Sequence, residues 1–175
     1  MQNAKCRMQK FALVACVVAT TTLHAQAPDF SGTWRLDEGK SKVLATAGLF
    51  GLIPAGAPKM LHITQPANGT LVIESQVNEG HSRIYKPGRE SSTPAGQGGA
   101  VTVTSKWDGK SLISEGAFKA PNGDTTTVRE VLSLTDGKQL TLEVTTPAGT
   151  STLHYEKITD VGPCEKWPTP CKRFP

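Results

Sequence analysis

The sequence predicts an all-β domain, an antiparallel up-and-down meander of about eight to ten strands closed into a barrel. Three observations predict it. Short segments alternate apolar and polar residues at period two, the periodicity of a half-buried strand. Asn-Gly or Asp-Gly dipeptides at 68–69, 108–109, 122–123 and 136–137 punctuate the segments, and both residue types tolerate the positive φ that tight hairpin turns need. No stretch between the segments reads as a crossover helix, so parallel pairing is not expected. A meander this long must hide its edge strands; closure does so directly, and a two-sheet sandwich is the alternative.

Taken in order, residues 1–25 read as a signal peptide. Lys5, Arg7 and Lys10 form a positive n-region, and 11–23 is an uncharged, mostly apolar run followed by small residues. The run is short for a bilayer span, which needs roughly 20 apolar residues, so no transmembrane segment is expected in the mature chain. Cleavage after Ala25 is favoured over Ala27, because Pro28 would follow the later scissile bond. A lipobox ending at Cys16 is the rival, but only residues 11–15 precede it as apolar stretch, so lipid anchoring is not expected. The leader also explains the charge. The whole chain carries 19 basic and 15 acidic residues, or +4; without the three leader cations it is 16 against 15, or +1. The basic balance is an export signal and does not imply a nucleic-acid partner. The predicted location is the periplasm or the extracellular space.

The mature chain divides into a single domain over 26–158 and a tail over 159–175. The domain opens with Asp29-Phe-Ser-Gly-Thr-Trp-Arg-Leu36, in which Phe30, Gly32, Trp34 and Leu36 share one face. The indole beside a glycine suggests a ring packed where another backbone passes close by. Further strands are expected over 59–65, 70–77, 81–86, 100–107, 110–119, 124–135, 138–146 and 150–158, about nine in all. Two stretches break the rhythm. Residues 43–53 are almost without polar side chains and read as a plug for one barrel end, a lid over a ligand mouth, or a surface for a protein partner (Val43 to Ile53). Residues 87–99, rich in Gly, Ser and Pro, read as a flexible loop. In the tail, Cys164 and Cys171 most simply form a disulfide closing a small loop in an oxidising compartment.

Phe30-x-Gly32-x-Trp34-x-Leu36 resembles the opening strand of the calycins, the lipocalins and fatty-acid-binding proteins, whose G-x-W tryptophan closes the barrel base. Together with Lys40-Ser41-Lys42, Lys106-Trp107-Asp108-Gly109, Thr135-Asp136-Gly137-Lys138 and Tyr155-Glu156-Lys157, it is similar to secreted bacterial lipocalin-like proteins. The resemblance covers roughly 29–158 and implies a calycin-like barrel that binds a small apolar or amphipathic ligand. Fatty-acid-binding proteins commonly hold the ligand carboxylate with R-x-Y on the last strand. Here that triplet is Leu153-His154-Tyr155, which keeps the tyrosine and lacks the arginine. The second family arginine falls near Arg129 or Glu130. Alternation puts Glu130 on the apolar face with Val128 and Leu132, where a carboxylate needs a partner such as Tyr155 or a lysine; the alternative is a solvent-facing residue after a bulge. If Glu130 lines a cavity, a neutral or cationic ligand is favoured over a fatty acid.

The expected ligand-lining residues are Trp34, Leu36, Val103, Phe118, Glu130, Leu132, Leu142 and Tyr155. Small residues at Ser75, Ser105, Ser114 and Gly116 would leave space among them. If large inward residues fill the barrel instead, it becomes a cavity-free module for protein interaction in the envelope. Catalytic signatures are missing: the sequence has no G-x-S-x-G elbow and no H-E-x-x-H. His62, His81 and His154 lie on strands without ligand-like spacing, so neither a metal nor another cofactor is expected. Binding rather than catalysis is predicted. Asn68-Gly69-Thr70 matches a glycosylation sequon, but turn chemistry already explains it.

Overall fold

A computed structural model describes residues 27–44, 57–66, 69–75, 82–95 and 99–158. The signal peptide, most of the 43–53 stretch, Asn68, His81 and the cysteine tail lie outside the described residues. The described residues form ten strands: β1 (Gly32–Leu36), β2 (Met60–Thr64), β3 (Leu71–Ser75), β4 (Arg83–Tyr85), β5 (Glu90–Ala95), β6 (Gly99–Asp108), β7 (Ser111–Lys119), β8 (Thr125–Thr135), β9 (Gln139–Thr146) and β10 (Gly149–Ile158). All belong to one antiparallel sheet in the order β4-β3-β2-β1-β10-β9-β8-β7-β6-β5. The first strand is laddered to the last, with Thr33 opposite Ile158 and Leu36 opposite Tyr155. A single nearly closed sheet replaces the two-sheet alternative. Among the described residues there is no helix.

The sheet closes through a seam between β4 and β5, which share no ladder. Ile84 N–H donates to Thr93 Oγ1 at 3.4 Å, and Gly88 N–H donates to the Ser105 carbonyl at 2.7 Å. The flexible loop expected over 87–99 is in large part a strand. Glu90 to Ala95 pairs with Gly99 to Thr104 of β6. It alternates correctly, with Ser91 and Thr93 buried and Glu90, Ser92 and Pro94 exposed. Its inward residues are hydroxyls, so hydrophobic periodicity could not detect it. Proline is tolerated here because β5 borders the seam.

The turns differ in detail. Asp136 and Gly137 both take positive φ, 52° and 66°, and Lys138 N–H returns to the Thr135 carbonyl at 3.2 Å, as a primed two-residue turn requires. At Asp108-Gly109 only the glycine is left-handed, at 56°.

One end of the barrel has an aromatic floor. Trp34 is fully buried, and its Nε1–H donates to the Phe30 carbonyl at 3.0 Å. Phe30 stacks on Trp107 with centroids 5.8 Å apart. The glycine beside the indole accommodates a side chain rather than a backbone. A Cβ at Gly32 would lie 2.6 Å from Lys157 Cε, and Lys157 Nζ sits 5.4 Å from the centre of the Trp34 ring. The outer face of β1 and β2 is not simply wet: Thr33 and His62 are cross-strand partners, both are buried, and Thr33 Oγ1 lies 3.1 Å from His62 Nδ1.

Candidate functional site

Cross-strand register lines up one inward row across five strands: Ser105, Ser114, Glu130, Val144 and Ser151. All five are fully buried. Glu130 is thus inside the barrel, and the solvent-facing alternative is overturned. Neighbouring Arg129 takes the outward position and meets Glu115 at 3.2 Å.

Glu130 finds its partners on the opposite wall. Arg83 Nη2 donates to Oε1 at 2.7 Å, Tyr85 OH donates to Oε2 at 2.8 Å, and Arg83 Nε reaches the Tyr85 oxygen at 3.4 Å. Arg83 and Tyr85 are two apart on β4, so strand alternation sends both inward. The partners anticipated for Glu130, Tyr155 or a lysine, are not the ones it uses. Tyr155 OH instead donates to the Pro58 carbonyl at 3.0 Å.

Burial dominates the electrostatics. It pushes the Tyr85 phenol well above its ordinary range, with the Glu130 carboxylate adding to the effect. It raises Tyr155 likewise. Burial alone would lower the Arg83 guanidinium, but the Glu130 charge more than offsets it and the net shift is upward. Arg83 stays cationic, and a neutral phenol completes the cluster. Such a buried ion pair is an expensive thing to place in a barrel, since desolvation of each ion costs several kcal/mol and good geometry roughly recovers it.

The expected lining residues all face inward but do not form one patch. Leu132 opposes Leu142, and Leu36 opposes Tyr155. Trp34 belongs to the floor, while Phe118, beside Val101, is half-buried toward the other end. Val103 sits opposite Gly116. Trp34, Glu130, Leu132, Leu142 and Tyr155 are each 0% exposed, so no water-sized space touches them. Ser105 and Ser114, expected to leave room, close on each other with their oxygens 2.8 Å apart. Gly116 is exposed, but a Cβ there would collide with the Thr102 carbonyl of β6.

Two connections lead toward this interior. Leu44 N–H donates to Ser151 Oγ at 3.1 Å, and the Pro58 carbonyl accepts from Tyr155 OH, both on inward side chains of β10. His154 pairs with Thr141 at 3.3 Å, and no cluster of His, Cys, Asp or Glu able to hold a metal occurs among the described residues. Outside the barrel, Arg35, Asp37, Lys59 and Glu156 border an open depression of mixed charge.

Sequence reasoning missed Arg83 and Tyr85, yet the signal was present. Arg83-Ile84-Tyr85 is an R-x-Y triplet, sought on the last strand and found on the fourth.

The nearly closed ten-strand meander, with its first strand laddered to its last, has a calycin-type barrel fold. Apo lipid binding protein 8 of Caenorhabditis elegans has the same fold at a TM-score of 0.53 and 14% identity, over 74% of this chain and 95% of that one. A secretary abundant heat soluble protein of Ramazzottius varieornatus gives a TM-score of 0.56 at 14% identity, over 74% and 95%. The REP1-NXSQ fatty acid transporter gives 0.52 at 15% identity, over 74% and 96%. No family model matches the chain, and no curated protein matches it in sequence.

Proposed function

We propose that the protein is an exported lipocalin-like carrier that holds a small apolar or amphipathic molecule inside the barrel, by binding rather than by catalysis. The observation that carries this reading is the buried Arg83–Glu130–Tyr85 cluster. A barrel kept only for stability gains little from an ion pair that apolar residues of similar volume replace without loss. Polar groups grouped in an apolar interior are what orients an amphipathic ligand. Similar folds include one described as a lipid binding protein and one as a fatty acid transporter. The ligand enters at the end opposite the Phe30–Trp34–Trp107 floor, where Phe118 is half-buried and Gly116 is exposed.

A second reading is favoured by the zero exposure of Leu132, Leu142 and Tyr155: a filled barrel acting as an interaction module in the envelope, contacting partners through residues 43–53 and the cysteine tail. Native mass spectrometry of the mature protein, purified from its own envelope, separates the two. A retained mass that is lost on denaturation supports the carrier. A bare protein whose tryptophan fluorescence ignores a panel of apolar probes replaces the carrier with the module.

A further inference from the structure

Arginine and tyrosine two apart on one strand face form a clamp for a carboxylate, a charged donor and a neutral one aimed at the same two oxygens. In this barrel that clamp is filled by the chain's own Glu130, which uses both oxygens on it. A free carboxylate reaching the cluster meets a like charge and finds the matching donors engaged. An ammonium group meets Arg83. With Glu130 seated on both donors, the clamp favours neither ion.

One hydroxyl is left over. Ser91 is 5% exposed, and its Oγ has no hydrogen-bond partner among the described residues. It faces inward from β5 opposite Val103, two residues from Thr93, whose hydroxyl receives the Ile84 N–H between Arg83 and Tyr85. Ser91 therefore lies on the β5 side of the seam, on the same inner face as the clamp. A buried hydroxyl without a partner is costly, and a ligand atom that bonded it would remove the cost.

Resting on the carrier reading above, we infer that the ligand's polar end is uncharged and capable of hydrogen bonding, of the alcohol, ester or amide class, and that Ser91 Oγ is the group that bonds it. Glu130 acts as a built-in carboxylate that excludes free acids from the Arg83–Tyr85 clamp.

The test is displacement of Nile red from the full mature protein by 1-dodecanol, dodecanoate and dodecylammonium, below their micelle concentrations and at a pH of about 8. Dodecanol is expected to compete at least tenfold better than either ion. Ser91→Ala is expected to weaken dodecanol about three- to tenfold, the range for one neutral hydrogen bond, and to leave dodecanoate unchanged. Glu130→Ala opens the clamp, so dodecanoate affinity should rise at least tenfold and its addition should raise that variant's melting temperature. Dodecanoate or dodecylammonium equal to dodecanol in the parent protein overturns the inference and leaves the carrier standing. Equal dodecanol binding by Ser91→Ala removes Ser91 from the site. Failure of all three probes, with Nile red itself not bound, overturns the carrier reading and this inference with it.

Discussion

Glu130→Gln isolates what the ion pair does for the fold. Gln keeps the volume, and its carbonyl still accepts from Tyr85, so no cavity is created. What changes is that Arg83, with its side chain only 3% exposed, loses its counter-ion at 2.7 Å. Removing one partner of a buried pair typically costs about 3–5 kcal/mol, against a total stability of roughly 5–15 kcal/mol for a single domain. For a domain of this size that is a fall in melting temperature of roughly 10–20 °C. Urea unfolding followed by tryptophan fluorescence reads it directly, because Trp34 is in the core. Replacing both partners, with Arg83→Met and Glu130→Leu together, should recover most of the loss, since neither charge is then left alone. A cost below about 1 kcal/mol for Glu130→Gln, the range of exposed pairs, would refute the dry interior.

Other outcomes follow from the same packing. Trp34→Ala should cost about 3–5 kcal/mol by opening a cavity in the floor, measured by urea denaturation. Gly116→Ala should destabilise the β6–β7 ladder, because its Cβ meets the Thr102 carbonyl and comes within 2.8 Å of Val103 Cα; hydrogen exchange at the amides of β6 would report it. The chain has two tyrosines, Tyr85 and Tyr155, both buried and both with raised pKa. The folded state keeps their protons where the unfolded state releases them, so their contribution is complete below a pH of about 10 and is lost above it, at up to about 1.4 kcal/mol per pH unit for each. Tyrosinate absorbance near 295 nm should rise only as the protein unfolds. Burial lowers the His62 pKa, so its contribution is present above a pH of about 6.5 and declines as pH falls through and below that value; acid titration followed by circular dichroism would show the loss.

Legibility tracked how much each element relied on apolar alternation. β1, β6, β8 and β9 were plain because Trp34, Val103, Leu132 and Leu142 mark every second position. β5 was invisible because Ser91 and Thr93 do the same job without apolar side chains, and burial of a hydroxyl has no period-two hydropathy signal. Glu130 was placed on the correct face by alternation with Val128 and Leu132. Its partners were not found, because five strands lie between Arg83 and Glu130 in pairing order and the two meet only across the barrel. Local sequence rules describe neighbours along a ladder, and contacts through the lumen depend on the curvature of the whole sheet. The triplet Arg83-x-Tyr85 was readable as a motif but was sought at the family's position, on β10. The paired Ser105 and Ser114 illustrate a different limit: small residues leave space only if their neighbours do not close over it.

The ladder between β1 and β10 also sets the order of assembly. No group of strands near the amino end can complete the wall until the last one exists, so contacts of large sequence separation dominate and folding belongs to the slow, millisecond-to-second class. The same feature makes the chain a candidate for circular permutation. Joining the end of β10 to the start of β1 and opening the turn at 86–89 would preserve every ladder, since β4 and β5 share none. Such a permutant would begin with Glu90 and end with Lys86, turning the seam from a site of side-chain contact into the place where both termini lie.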